Sequence, residues 1–445
     1  MQVASEAAQS SIAKLKNDTD SIRKWHFRCD DTAVFKGLAI ILMLLHHAFF
    51  FPDRIAKEFY QISYIHVGDM SLMSFISGNG KICVAMFFFL SGFGLIRSCK
   101  NGLGNRIIKT LKKLYQSYWK VLFIFVPIGF IFFSHQIPWC ENEMIRNAWN
   151  DKSIKTAISA LFGFSEEYNH EWWFLRAYII TILTMPIFKK CLDRCKTFWA
   201  GFSLIMLIEI ILTVLIPFMQ SETCPIAFKS SFIMSNIIFP LNLSAPFYIG
   251  MLMGKDEYLE KMHDKLDDNG LGTVPFATVL FLAVFLIRYT LGEGSDILTV
   301  PILAISVKTI CDAAKPLKQI LIKLGNHSTT MWLTHTFLIY YYGKTMQGII
   351  MFQHWWIITA TWFVIVSFII ALIFDKIMSL PSRLSVRKTS SNNDNENITN
   401  RDTNIHSNKR DDEADSMANS SILMAVHLKR CHINTSLPKE IETEQ

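Results

Sequence analysis

The sequence predicts an all-α fold, a polytopic transmembrane helical bundle of about ten helices with both termini cytoplasmic. Three observations predict it. The chain of 445 residues is 51% hydrophobic and only 18% charged, whereas a soluble domain carries roughly 25% charged residues. Its apolar residues gather into long, nearly uncharged runs, and the mean hydropathy is +0.27. Lysines and arginines cluster after alternate runs, the pattern that orients membrane helices. The formal charge of +7 therefore reports topology, and no nucleic-acid partner is expected.

Residues 1–32 form a polar cytoplasmic arm. They open MQVASEAAQSSIAKLKNDTD, which is no secretory signal, so the first apolar run is a retained span. Crossing the hydrocarbon takes about 20 mostly apolar residues. Ten segments approach that: 33–51, 81–97, 117–134, 172–188, 198–218, 232–253, 273–290, 296–310, 328–343 and 355–377. They are too long and continuous for barrel strands, so they are read as helices. Positive charge marks the arm (Lys14, Lys16, Arg23, Lys24, Arg28) and recurs after the second run (Lys100, Arg106, Lys109, Lys112, Lys113). It returns after the fourth (Lys189, Lys190, Arg194, Lys196), sixth (Lys255, Lys261, Lys265) and eighth (Lys315, Lys318, Lys323). The intervening loops are poorer, with Lys229 after the fifth run, Arg288 just before the loop after the seventh, and Lys344 after the ninth. An even count and this alternation both place the termini in the cytoplasm.

The outer segment 135–171 contains IKTAISALFGF, read as a short amphipathic or re-entrant helix. Residues 381–445 turn polar and mixed in charge, a composition expected of a disordered cytoplasmic tail, where the sequon at Asn397 would escape glycosylation. The bundle domain is thus 33–380. Of the nine cysteines, Cys191 and Cys195 share a basic loop, but CxxxC without histidine partners is a weak signal and no metal site is expected.

Within FKGLAIILMLLHHAFFF, Lys36 and His47 lie 11 positions apart. At about 100° and 1.5 Å per residue they share one helix face, with His47 roughly 16 Å further along the axis. His46 points roughly 80° away from Lys36 and is expected to be structural. The pair is read as a polar stripe lining a pathway, the alternative being a snorkelling lysine and an interfacial histidine. In GNGKICVAMFFFLSGFGLIR, Ser91 and Gly92 permit close approach of a backbone or a ligand, and Arg97 ends the helix. In NRIIKTLKKLYQSYW, Arg106, Lys109, Lys112 and Lys113 form a cationic face suited to lipid phosphates or to those of a soluble cofactor. In EWWFLRAYII, Arg176 lies about 7 Å into a helix descending from outside, near His47 in depth, so pairing with His47 or Glu171 is allowed. In LGNHSTTMWLTHTFLIYYY, Ser328 is a candidate helix cap, and His335, two turns in, is either a satisfied core histidine or a catalyst. Glu209, midway along the fifth run, needs a partner or a proton.

Together these stretches resemble the acyltransferase 3 family, integral membrane enzymes that move acyl groups onto extracytoplasmic sugars and related acceptors. The matching pieces are Lys36 and His47 in the first helix, FFFLSGF at Phe87–Phe93, the basic run ending LYQSYW, WWFLRAYI from Trp172, and LGNHSTTMWLTH from Leu324 to His335. The likeness spans about residues 30 to 377. Two departures stand out: lysine occupies the first-helix position where arginine is usual, and lysine replaces most arginines after the second span. The charge is kept and the bidentate fork is lost. The polar tail is too short for the hydrolase-like domain that some members carry.

The resemblance implies no bound cofactor but an acyl-CoA co-substrate, usually acetyl-CoA, arriving from the cytoplasm. It implies an acceptor hydroxyl on a cell-surface glycan or lipid-linked sugar, with membrane lipids around the protein, in a cell membrane, the bacterial plasma membrane. His47 is then the general base or transient acyl carrier, supported by Lys36. Arg97, Arg106, Lys109, Lys112 and Lys113 are the expected donor-binding set, and Arg176, Glu171, His335 and Ser91 the acceptor or oxyanion side. A proton-coupled transporter or exporter is the alternative, given charged and histidine side chains within spans. The chain lacks the visible repeat and the matched helix breaks of many transporters.

Overall fold

A computed structural model of the chain describes residues 25–59, 65–67, 70–98, 102–135, 137, 139–222, 224–225, 231–353 and 355–393, with side chains to 379. Most of the arm and most of the tail lie outside the described residues. The described chain is helical apart from loops and one two-residue ladder, His66–Val67 (β1) against Met70–Ser71 (β2). Among the described residues, seven stretches are long and apolar enough to cross a membrane. The first is α1 (Cys29–Phe49); the second is Leu72–Ser98, comprising α2 (Leu72–Asn79) and α3 (Ile82–Ser98). The third is α4 (Leu103–Ile128) with its π-helical extension to Phe133.

A short α5 (Ile154–Leu161) precedes α6 (Trp173–Arg194) and α7 (Phe198–Gln220), of which only α7 is among the seven. The sixth predicted span is broken: Met234–Leu241 and Ala245–Asp268 meet at 47°, and counting this pair gives up to eight crossings. Pro246 opens α8 (Ala245–Gly254), which suits proline's missing N–H and forces the break. After α9 (Tyr258–Asp268) come α10 (Val274–Leu291), α11 (Asp296–Ala313) and α12 (Lys315–Asn326). The chain then forms α13 (Ser328–Thr336) with a π turn Phe337–Tyr341, α14 (Gly343–Met351) and α15 (Trp356–Asn393), which extends past the boundary expected at 381.

Besides the broken sixth, two predicted spans fall outside the seven for physical reasons. The fourth, α6, is long enough at 22 residues, but Lys189, Lys190, Asp193 and Arg194 crowd its last turns. The ninth is a nine-residue α-helix run into a five-residue π turn, short of the roughly 20 residues a straight crossing needs.

Small residues set the core. Gly37 sits so close to α12 that an added Cβ would lie 2.1 Å from the Leu321 carbonyl oxygen, and one on Gly325 would lie 1.9 Å from that of Ala33. The backbones of α1 and α12 therefore touch, as small residues allow in membrane bundles. Gly92 and Gly250 do the same for α3 and α8, which explains the Ser-Gly break in FFFLSGF as helix packing. Ile154, Ile158 and Phe162, spaced for one helix face, are all exposed on the far side of α5. Its other side is tied to α4, where Tyr118, Trp119 and Tyr115 donate to the carbonyls of Ala160, Leu161 and Phe162 at 2.7, 2.8 and 2.9 Å.

Candidate functional site

His47 ends the apolar face of α1, one turn before Phe50, and is 8% exposed. Its Nε2 lies 3.8 Å from Glu171 Oε2. Its Nδ1 is buried with no hydrogen-bond partner among the described residues. The proton of a neutral imidazole is best placed on Nε2, toward the carboxylate, which leaves the lone pair on Nδ1; the tautomer is inferred from these neighbours. Its ring stands 4.9 Å from that of His335, which is fully buried on α13. His335 Nδ1 lies 2.7 Å from the Trp332 carbonyl oxygen, an acceptor only, so Nδ1 carries the proton and Nε2 keeps its lone pair. That Nε2 is buried and also without a partner among the described residues. Two imidazole lone pairs thus lie unclaimed in one place. Such an arrangement accepts protons or hydrogen bonds, which suits a hydroxyl better than an oxyanion.

Glu171 is fixed by neighbours that sequence reasoning did not find. Arg54 Nη1 donates to Glu171 Oε1 at 2.5 Å, and both side chains are buried. Asn169 Oδ1 accepts from the Glu171 amide at 3.1 Å, while its Nδ2 donates to Thr336 Oγ1 at 2.7 Å, next to His335. Arg54 stands on the strap 51–59 that follows α1. Gln347 clamps that strap, donating to the Arg54 carbonyl at 2.8 Å and accepting from the Ala56 amide at 3.0 Å. The Tyr340 hydroxyl donates to the His47 carbonyl, tying the π turn to the end of α1. Such turns recur at functional sites. Arg54 gave little sequence signal because it lies in a short loop, where an arginine beside Asp53 and Lys57 reads as surface. Asn169, two residues before Glu171 in a turn, was the more accessible clue.

The other expected residues separate from this cluster. Arg176 pairs with Glu166 and donates to Asn236 at 3.1 Å and to the Phe164 carbonyl. The pairing with Glu171 that its depth allowed is made by Arg54 instead, because the turn at 170–172 swings Glu171 toward α1. Burial pushes the Glu166 carboxyl up, against the pull of Arg176 and His170. His46 Nδ1 lies 2.7 Å from the Ser77 carbonyl on α2, on a different side from Glu171 and His335. Lys36 is fully buried and its Nζ has no partner among the described residues. Ser91 Oγ donates to the Phe87 carbonyl of its own helix. Ser328 caps no amide; it lies inside α13 and donates to the Gly325 carbonyl. Arg97 bonds Glu260 at 2.5 Å and stacks over Phe93, anchoring α9. On α4, Arg106 is buried and donates to the Ser98 carbonyl, whereas Lys109 and Lys112 are exposed and Lys113 half-buried. Glu209 keeps a buried Oε2 with no partner among the described residues.

Fold and site together define a membrane-embedded helical protein with a buried histidine–carboxylate pair, the equipment of a group-transfer enzyme. A family model described as an acyltransferase domain matches residues 33–375, and the chain belongs to that family, acyltransferase 3. It is a multi-pass membrane acyltransferase. No curated protein and no solved structure matches it.

Proposed function

We propose that the enzyme moves an acyl group, acetyl in the first instance, from acyl-CoA to a hydroxyl of an extracytoplasmic sugar, on a cell-surface glycan or a lipid-linked precursor. The observation that carries the reading is the pair of unclaimed imidazole nitrogens, His47 Nδ1 and His335 Nε2, beside Glu171. An alcohol is a poor nucleophile until a base takes its proton, and a neutral imidazole suits that task near pH 7. His47 Nδ1 accepts the hydroxyl proton as the oxygen attacks the thioester carbonyl. The C–S bond then breaks, and the imidazolium returns its proton to the departing thiolate of CoA. Glu171 orients His47 through Nε2 and stabilises the imidazolium, as the carboxylate of a catalytic triad does. His335 Nε2 accepts from the acceptor sugar and holds it in place.

Lys36 lies on the His47 face of the unbroken α1, about 16 Å below. It is too far to touch the reacting atoms and is assigned to the donor's approach. Lys109, Lys112 and Lys113 attract the CoA phosphates as point charges, with Arg106 behind them. Arg97, committed to Glu260, supports this end rather than binding the donor. Arg176 and Ser91 are assigned to shaping the acceptor side.

The same reading has ten crossings with both termini in the cytoplasm of a bacterial plasma membrane. Helix ends meeting alternately at two levels support it. Lys255 reaches the carbonyls of Leu192 and Cys195, and His327 reaches Asp375, at the level of the arm. Arg288, Asp296 and the Asn79 carbonyl meet at the other. At about 1.5 Å per residue, α6 spans roughly 33 Å and is long enough to cross.

The test is to give membranes containing the protein acyl-CoA labelled in the acyl group. Covalent label in a surface glycan or lipid-linked sugar is the expected result. Label that stays on CoA or is only transported would overturn the reading.

A further inference from the structure

Glu171 raises a difficulty that the proposed mechanism leaves open, and the following rests on that mechanism. A carboxylate 3.8 Å from His47 pulls toward the imidazolium, against the burial that opposes it, and a histidine that already holds a proton is no base. We propose that Arg54 is a positioning residue: by holding the Glu171 carboxylate it keeps His47 unprotonated and correctly turned at neutral pH. The titratable groups facing His47 are Glu171 from the turn before α6, Arg54 from the strap, His335 from α13, Tyr340 from the π turn and His46 on its own helix. Tyrosine is neutral at pH 7, and a histidine neighbour opposes a second imidazolium. Glu171 and Arg54 are therefore the fixed charges of the set, of opposite sign and in direct contact.

The guanidinium is held as a part with a defined place. Its carbon lies 3.9 Å from the Phe51 ring centroid and 5.4 Å from that of Tyr340, with Gln347 clamping the backbone. Neighbouring Lys57 and Glu58 instead form exposed ion pairs, with Glu141 and Lys344. A strap that only covered the site would need no buried cation, because burying one is costly unless a partner compensates it. With Arg54 in contact, Glu171 still offers Oε2 to orient His47, but the charge His47 meets is largely cancelled.

The experiment is the pH dependence of kcat/KM for transfer from labelled acetyl-CoA in wild type, Arg54→Gln, Glu171→Gln, the double variant and Arg54→Lys. Arg54→Gln should move the acid limb to higher pH by about one unit, a roughly tenfold loss at neutral pH that alkaline pH restores. Glu171→Gln should move the limb the other way and lower the plateau, because orientation is lost. The double variant should return the limb close to wild type, since removing both leaves the same net charge. Arg54→Lys should restore the limb but not the full rate. Single variants that move the limb the same way, or an Arg54→Gln profile scaled down at constant shape, would overturn the proposal. Should Arg54→Gln fail to fold, the double variant, which leaves no buried charge unpaired, is set against Glu171→Gln alone and must return the limb toward wild type.

Solid-state NMR of ¹⁵N-histidine-labelled protein reads the His47 charge state without any assay, its signals assigned by their loss in His47→Ala. A titration unmoved by Arg54→Gln or by the double variant would refute the role of Arg54. Transfer that survives in His47→Ala would instead refute the mechanism on which it rests.

Discussion

Two adjacent histidines differ in what surrounds them. His47 presents an unclaimed nitrogen beside a second imidazole and a carboxylate, whereas His46 spends Nδ1 on a backbone carbonyl of α2. His47→Ala should therefore cut turnover by roughly 10²–10⁴-fold, the usual worth of a general base. His46→Ala should act mainly on stability, by about 1 kcal/mol for the lost hydrogen bond, with turnover within about tenfold of wild type. Steady-state rates and thermal midpoints in detergent separate the two effects, and equal loss of turnover in both variants would contradict the assignment. Helical arithmetic was enough to tell the two histidines apart, because α1 is continuous from Cys29 to Phe49. It could not find Arg54, whose place depends on how a loop folds back over the helix end. Nor could it pair Glu171 correctly, since depth along a helix says nothing about the turn that precedes it.

At the scale of elements, the contact of α1 with α12 fixes where Lys36 and His47 stand relative to α13. Gly37→Ala would drive a methyl group to 2.1 Å from the Leu321 carbonyl, and the backbones must separate. Overpacking of this kind costs roughly 1–3 kcal/mol, so the thermal midpoint should fall. Gly104→Ala on α4, where an added Cβ meets nothing within 4 Å, is the control and should be neutral or stabilising by up to about 1 kcal/mol through helix propensity. Equal midpoints for the two variants would contradict the packing. The elements themselves were legible: each of the ten predicted apolar runs contains helix. Their lengths were less so, because hydropathy sees neither the 47° break before α8 nor the π turn that extends α13. Both depend on tertiary contacts, such as the Tyr340 hydroxyl on α1.

For the whole molecule, the proposed topology places 135–171 and the strap on one face of the membrane and α9 on the other. In a cysteine-free background, a membrane-impermeant maleimide applied to intact cells should label Lys152→Cys and spare Lys265→Cys until the cells are opened. Labelling of both positions in intact cells, or the reverse pattern, would contradict it. This sidedness rests on lysine and arginine alone, because the rule acts during insertion and leaves its mark in composition. The proposed catalytic arrangement is a property of the assembled bundle, drawing on α1, the strap, the turn before α6 and α13. Sequence motifs named the helices that supply it without giving the contacts between them. The most direct measurement of the central claim is transfer of label from acyl-CoA to a surface sugar by membranes carrying wild type, His47→Ala or His46→Ala at matched expression. The account predicts transfer by wild type and His46→Ala and essentially none by His47→Ala. Undiminished transfer by His47→Ala would contradict it.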